Sequence, residues 1–179
     1  MARIRPLRME QAPAPIKTAF FNHVAEYKGR ITNMKATLGH SLLAFEVYMQ
    51  WYPLYEQVQR ILGLRLAYLY AFSISEASNC PLCSTFFRKI IQDAGENPEC
   101  LKLTSEEQLI LDFGSVISRS RGHVPDSLYR WVSVLYNDEQ LVLLIAFAGQ
   151  MIATNVFNNV VETDIDEYLT PYLPLTLAY

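Results

Sequence analysis

Apolar side chains recur along most of the chain at the three- and four-residue spacing of helices. In residues 16–27 they fall at Ile16, Ala19, Phe20 and Val24, which places them on one helical face. No alternating pattern bounded by hairpin turns indicates a strand. The pattern therefore predicts an all-α fold, a single-domain bundle of about seven or eight helices.

Proline, glycine and capping residues set the expected helix boundaries. Pro53 should kink or divide residues 41–62, and Gly63 separates that segment from an apolar helix over residues 64–78. The following helix, residues 82–94, is closed by Gly95. Further starts are expected at three places: a capping box of Thr104 and Glu107, a proline at Pro125, and a cap at Asn137 or Asp138.

The two ends of the chain differ from the helical middle. Residues 1–15 contain Pro6, Pro13 and Pro15 without an apolar run, which predicts an extended N-terminal arm and not a secretion signal. Residues 170–179 contain Pro171 and Pro174 and are expected to form an extended C-terminal tail. The predicted helical domain is residues 16–169.

Composition and charge argue against several classes of function. The chain has 179 residues with a net charge of -3, which gives no electrostatic case for binding nucleic acid. The longest apolar stretch, residues 141–149, is too short to span a bilayer, so we expect no membrane association and a cytoplasmic protein. Aromatic residues make up 12% and charged residues only 18%, a balance that favours an oligomeric protein.

The chemically distinctive motif is Asn79-Cys80-Pro81-Leu82-Cys83. Pro81 suits the first turn of a helix, so Cys80 becomes the cap and Cys83 lies in the first turn. The free amides and positive dipole of a helix start favour a thiolate, which attacks peroxides and disulfides. The second thiol can then close a disulfide. Glu76, one helical turn before Cys80, is a candidate proton acceptor if it is buried.

Two other interpretations of the cysteine pair stay open. The thiols can be inert core residues. They can also be half of a zinc site, with Cys100 and His123 as the remaining candidate ligands, although these two lack paired ligand spacing. We expect neither a cofactor nor a resident metal.

The order of motifs resembles the carboxymuconolactone decarboxylase-like superfamily, and within it the alkylhydroperoxidase D (AhpD) and peroxidase-related proteins. The resemblance covers roughly residues 20–165. It rests on an apolar helix before the cysteine motif and on segments 29–34, 38–41, 95–98, 103–107, 111–113, 138–139 and 155–159. It implies an all-helical fold, homo-oligomers (dimers, trimers or hexamers), and peroxidase or thiol–disulfide activity. It also implies that Cys83 attacks the peroxide and Cys80 resolves the product.

The chain departs from the resemblance at the proton relay. Active members have a glutamate twelve residues before the first cysteine, where this chain has Tyr68. They have a histidine four residues after the second cysteine, where this chain has Phe87. AhpD itself has a histidine between the cysteines, where this chain has Leu82.

Other polar and aromatic residues are candidates of lower weight. His40 is expected to cap or pack, and His23 and His123 to be solvated. A polar stripe can line a pocket beside the cysteines, but burial against backbone or a partner subunit is favoured; it comprises Gln150, Thr154, Asn155 and Asn158. A cluster of aromatic residues is expected in the core or an interface: Tyr48, Trp51, Tyr52 and Tyr55.

These observations lead to three hypotheses. The first is a peroxidase-type thiol oxidoreductase that acts on a peroxide or disulfide and is reset by an external dithiol. The second is a decarboxylase-type lyase, which needs a basic anion-binding pocket and a proton donor but not the thiols. Arg65 and Arg88 are the arginines nearest the pair in sequence. The third is a non-catalytic oligomeric protein that has lost the relay. We favour the first.

Overall fold

A computed structural model describes residues 1–174, and within this range the fold consists of helices without strands. The all-α prediction is therefore confirmed. The α-helices are α1 (Ala14–Tyr27), α2 (Asn33–Leu38), α3 (Leu42–Met49), α4 (Trp51–Ala77), α5 (Pro81–Asp93), α6 (Ser105–Arg119), α7 (Asp126–Leu135) and α8 (Asp138–Val161).

Helix α4 is the centre of the main core. Helices α5, α6 and α8 pack around it, and Tyr70, Ile74, Phe113, Leu144 and Phe147 are fully buried among them. The α4–α6 contact requires a glycine, because a Cβ at Gly114 would lie 2.5 Å from the Tyr70 ring. On the other side, the Tyr70 hydroxyl donates to the Leu144 carbonyl of α8 at 3.2 Å.

The predicted boundaries of the central helices are confirmed, with one refinement. Pro53 lies in the first turn of α4, where its missing N–H costs little, and the chain divides just before it at Gln50. Gly63 interrupts α4 with a φ of 77°, in the left-handed region that favours glycine. The Thr104–Glu107 capping box forms as predicted, and of the two candidate caps for α8 the structure selects Asn137.

The N-terminal helices form a second apolar cluster that the sequence pattern described incompletely. Phe20 of α1 and Phe45 of α3 pack edge to face with ring centroids 5.0 Å apart. The short helix α2 was not predicted, because six residues give too few turns to show a helical period. The arm is also less extended than predicted, since Met9–Gln11 forms a 3-10 turn.

The predicted start of the C-terminal tail at residue 170 is wrong. A 3-10 helix covers Glu167–Tyr172 and packs on α5, and the fully buried Leu169 joins the cluster around the cysteines. Pro171 is accommodated because a short 3-10 turn does not depend on every backbone N–H. The rest of the predicted tail, residues 175–179, lies outside the described residues.

One helix, α8, is long and apolar enough to cross a membrane by length and composition alone. Its inner face, with Leu144, Phe147 and Met151, packs into the main core. Only 33% of its most apolar stretch is buried, so the opposite face of α8 is exposed.

Candidate active site

The two cysteines lie at the start of α5, as the motif predicts. Asn79 takes a left-handed conformation with a φ of 48° and turns the chain out of α4. Cys80 then caps α5, Pro81 follows as its first residue, and the Cys83 amide donates to Cys80 Sγ at 3.4 Å. The two sulfur atoms are 2.7 Å apart, and both cysteines are free thiols. Their relative position suits a disulfide, which needs only a small approach of the sulfurs.

The electrostatics of the helix start treat the two thiols differently. A hydrogen bond from Cys83, together with the backbone amides of Cys83 and Leu82, lowers the pKa of Cys80. The hydrogen bond to Cys80 and burial raise the pKa of Cys83. The first ionisation of the pair is thus directed to Cys80, and a second ionisation beside the first is opposed.

The cysteine with the higher pKa, Cys83, is also the more accessible of the two. Cys80 is 1% exposed and is enclosed by Leu82 and Leu169, whereas Cys83 is 7% exposed and lines a cavity. The Asn158 side-chain amide donates to Cys83 Sγ at 3.2 Å, which favours a thiolate there. Cys83 is therefore the sulfur that a molecule in the cavity meets, with Cys80 behind it.

The cavity beside Cys83 has a volume of about 110 Å³ and is partly open to solvent. A buried water needs only about 10–15 Å³, so the space suits a small organic molecule. Its walls are mainly apolar and aromatic: Met34, Tyr48, Met49, Trp51, Tyr52, Leu82, Phe86, Phe87, Met151, Tyr168 and Leu169. Apolar walls with a few placed polar groups are typical of ligand sites.

Two charged side chains line the same cavity. Lys35 of α2 is 6% exposed, and burial lowers its pKa to about 8. Asp166 precedes the C-terminal 3-10 helix, and burial raises its pKa although its Oδ1 accepts from the Asn33 amide at 2.9 Å. Lys35 and Asp166 come from opposite ends of the sequence, so no local motif predicted either of them.

Two of the three predicted site residues share this site. Cys80 and Cys83 meet at the start of α5, but Glu76 is exposed at the end of α4 and is absent from the cavity wall. The burial that would make Glu76 a base near neutral pH is therefore missing. The role of Glu76 stays a prediction without support from its position.

The positions where the resemblance expects a relay have other contacts here. The Tyr68 hydroxyl donates to Glu96 at 3.0 Å, and Glu96 is also paired with Arg65. Phe87 is a wall of the cavity. Arg88 is buried and paired with Glu99. The two arginines nearest the cysteines in sequence therefore serve structural ion pairs.

The prediction that His23 is solvated is wrong, whereas His40 and His123 lie where they were expected. His23 is 5% exposed instead of solvated, and burial together with the positive charge of Lys35 lowers its pKa to about 4. A single polar residue on an amphipathic helix gave no sign of this burial. His40 Nε2 lies 3.0 Å from the Arg5 carbonyl, a packing role as expected. His123 is exposed, and so is Cys100.

Members of the polar stripe and of the aromatic cluster line the cavity, although we favoured burial or an interface for both groups. Thr154 and Asn158 of the polar stripe line it, as do Tyr48, Trp51 and Tyr52 of the aromatic cluster. Tyr55 instead stacks on Trp51, with centroids 4.5 Å apart, and packs against the main core. Helical spacing marked these residues as one face but did not show that the face borders an opening.

No protein-family model and no curated protein matches the sequence significantly. Solved structures do share its fold. The debrominase Bmp8 superposes with a TM-score of 0.72 at 16% identity, covering 94% of this chain and 95% of that one. A cysteine-to-alanine variant of Bmp8 in complex with 2,3,4-tribromopyrrole gives a TM-score of 0.77, also at 16% identity, covering 94% of each chain.

A third neighbour is an uncharacterised peroxidase-related protein from Silicibacter sp. TM1040. It superposes with a TM-score of 0.68 at 15% identity, and the match covers 91% of each chain. The chain therefore shares its fold with these three structures. This is the fold that the resemblance in the sequence implied.

Proposed function

We propose that the protein is a thiol oxidoreductase in which Cys80 and Cys83 alternate between a dithiol and a disulfide. The observation that carries the proposal is their geometry. The two free sulfurs lie 2.7 Å apart at a helix start, and Cys83 faces a cavity of about 110 Å³. A buried structural pair would not need an opening of that size beside one of its sulfurs.

With a peroxide as substrate, the reaction runs in two steps. The Cys83 thiolate attacks one peroxide oxygen and breaks the O–O bond, which gives a sulfenic acid and an alkoxide that takes up a proton. The Cys80 sulfur then attacks the Cys83 sulfenic sulfur, water leaves, and the disulfide forms. An external dithiol reduces this disulfide and is itself oxidised, which requires a reducing compartment such as the cytoplasm.

A proton transfer between the two cysteines explains how the accessible Cys83 can become the thiolate although Cys80 has the lower pKa. The helix start places the first negative charge preferentially on Cys80, whereas the cavity reaches Cys83. Because the sulfurs share a hydrogen bond, moving one proton from Cys83 to Cys80 generates the attacking thiolate. The Asn158 amide stabilises that form, so the pair itself supplies the relay for which the resemblance expects a glutamate and histidines.

Mass spectrometry tests the proposal on the wild-type protein. The reduced protein is treated with near-stoichiometric hydrogen peroxide, and its intact mass and disulfide map are recorded. We expect the loss of two hydrogens, mapped to a Cys80–Cys83 bond and reversed by a dithiol. An unchanged mass with both thiols free after a panel of peroxides and disulfides would reject a redox role for the pair.

A second candidate reaction, reductive removal of a halogen from a small aromatic ring, uses the same residues. It is favoured by the aromatic cavity wall and by the fold shared with a debrominase. The two thiols would supply two electrons and two protons and become a disulfide. One proton replaces the halogen on the ring, the halogen leaves as a halide ion, and the second proton is released. Halide release from a bromopyrrole by the reduced protein, one halide per disulfide, would distinguish it from peroxide reduction.

The lyase hypothesis loses Arg65 and Arg88, which form ion pairs with glutamates outside the cavity wall, and gains one feature. Lys35 supplies a basic group inside the cavity, which that chemistry needs. The thiols facing the same space have no function in it, which is why we favour the redox proposal. Undiminished turnover of a substrate by a Cys80→Ala/Cys83→Ala variant would reverse this preference.

We also propose that the chain self-assembles through the outer face of α8. Exposed apolar and small residues follow one another there at helical spacing: Val142, Ile145, Ala146, Gly149, Ala153, Val156 and Val160. A contiguous exposed apolar stripe of this kind indicates an interface. Light scattering should show an oligomer for the wild type and a monomer for Val142→Asp/Val156→Asp, and a wild-type monomer would contradict the proposal.

A further inference from the structure

We propose that the cavity recognises a planar aromatic anion, held through its negative group by the Lys35 ammonium and through its ring by the aromatic walls. This inference rests on the proposed function, because it names the substrate class of the same site. It concerns binding alone, and its test therefore separates it from the redox chemistry of the thiols.

The first observation is the unusual state of Lys35. A lysine that is 6% exposed is rare unless its charge is paired. Lys35 Nζ donates to the Arg30 carbonyl at 3.0 Å, and within residues 1–174 it has no ion-pair partner. Two of its three N–H groups are left without a protein acceptor in this part of the chain. The Asp166 carboxylate lines the same cavity but lies beyond ion-pair distance of Nζ, so an anion in the cavity would supply both the missing acceptors and a closer counter-charge.

The second observation is an unpaired acceptor at the thiol end. Asn158 is 4% exposed, and its amide nitrogen donates to Cys83 and to Met34 Sδ, but its buried Oδ1 has no hydrogen-bond partner among residues 1–174. Asn158 and Lys35 line the same cavity. A ligand with an anion at one end would meet Lys35 directly, and a polar hydrogen near the sulfurs would reach Oδ1 once the Asn158 side chain turns toward the cavity.

The third observation is the shape of the walls between these ends. Trp51, Tyr52, Phe86 and Tyr168 line the cavity with Cys83, and the Lys35 ammonium lies 5.1 Å from the Tyr52 ring centroid. Aromatic faces and edges pack preferentially on flat rings.

The two tryptophans provide a way to observe the site by fluorescence, since Trp51 borders the cavity and Trp131 is 63% exposed.

The charged and titratable groups around Lys35 determine how ligand binding at this site depends on pH. They are Asp166, Arg30, His23, Tyr27, Tyr52 and Tyr168. His23, with its pKa lowered to about 4, is neutral at pH 6–9, and burial raises the pKa of Tyr52 and Tyr168 to about 12. Lys35, with a pKa of about 8, changes its charge between neutral and mildly alkaline pH. Anion binding should weaken as pH rises through about 8.

The test compares benzoate with benzamide, which have nearly the same shape but differ in charge. Both are titrated into the reduced full-length protein carrying Trp131→Phe, so that fluorescence reports Trp51. We expect benzoate to bind at least ~10-fold more tightly than benzamide at pH 7, a difference of about 1.4 kcal/mol. The preference should shrink above pH 8.

Lysine variants show which group provides the preference. Lys35→Met should reduce the benzoate preference to less than ~3-fold while benzamide still binds, and Lys35→Arg should restore part of it. Lys102→Met removes the same charge from an exposed site and should leave the preference intact. Thermal unfolding of each variant checks the fold, and Lys35→Arg carries the test if Lys35→Met does not fold.

The outcomes separate the inference from the proposed function. Equal affinities for benzoate and benzamide in a wild-type protein that does form the Cys80–Cys83 disulfide would overturn the inference alone. A benzoate preference that survives Lys35→Met would also overturn it. A preference that depends on Lys35, in a protein whose thiols never form a disulfide, would support the binding site and reject the redox proposal.

Discussion

The two ends of the cavity are built in different ways. At the thiol end, Cys80 and Cys83 belong to one motif of consecutive residues, and the start of α5 fixes their geometry. At the other end, Lys35 of α2, Tyr52 of α4 and Asp166 before the last 3-10 helix come from three distant segments. The comparison shows that the reactive group of this site is local in sequence, whereas its recognition surface exists only once the chain has folded.

The difference extends to the electrostatics. At the thiol end, hydrogen bonds and backbone amides favour a negative charge on Cys80. At the lysine end, burial disfavours the charges of Lys35 and Asp166, and also that of His23, which packs on Tyr52 and does not line the cavity. Such charges weaken the free energy of folding unless a ligand uses them, which is why buried ionisable groups in a cavity indicate function.

The largest expected effect comes from separating the two thiols. In a Cys100→Ser background, which removes the exposed third thiol, Cys83→Ser should slow peroxide reduction by at least ~100-fold, because the accessible nucleophile is lost. Cys80→Ser should still react once and stop at the sulfenic acid. Stopped-flow consumption of peroxide measures the first step, and dimedone labelling with mass spectrometry detects the acid. The opposite result would assign the attack to Cys80.

The next effect concerns the Asn158 amide, which donates to Cys83 at 3.2 Å. Asn158→Leu in a Cys80→Ser/Cys100→Ser background should raise the pKa of Cys83 and slow its alkylation at neutral pH by ~10-fold, since a hydrogen bond to a charged group contributes about 1.5–3 kcal/mol. The pH dependence of the iodoacetamide rate gives both quantities. Asn159→Leu is the control, because the Asn159 amide instead donates to the Ser78 carbonyl at 3.1 Å.

At the lysine end, His23 should make the folded state sensitive to acid. Its pKa falls from 6.5 to about 4 on folding, so the unfolded chain binds the proton more strongly. The contribution of neutral His23 to the free energy of unfolding is therefore present above pH 6.5. The free energy of unfolding should fall by on the order of 2–3 kcal/mol as the pH drops towards 4. Urea unfolding at a series of pH values measures this. His23→Phe should flatten the curve, whereas His123→Gln, at an exposed site, should not.

The smallest expected effect is at Glu76, which belongs to neither end of the cavity. Glu76→Gln should change the rate of disulfide formation by less than ~2-fold, because the side chain is exposed and does not line the cavity. Stopped-flow measurement under the conditions used for the cysteine variants provides the comparison. A ~10-fold loss would show that Glu76 acts on the thiols after all, and the proposed relay within the cysteine pair would then need revision.

The sequence predicted the fold well because helix patterns and caps are local. The period of the apolar residues, the Thr104–Glu107 box and the break at Gly63 each depend on neighbours a few positions away. It predicted less well where an element is short or held by distant contacts. The six-residue α2 and the 3-10 helix Glu167–Tyr172 carry no helical period of their own.

What the sequence determined alone is a helical chain with two thiols at a helix start, because dihedral preferences, capping and three-residue spacing act within a turn or two. The tertiary structure decided which thiol faces the cavity and that Glu76 does not share it. It also decided that Lys35 and His23 are buried. Burial and long-range charge depend on which segments pack together, and that information is distributed over the whole chain.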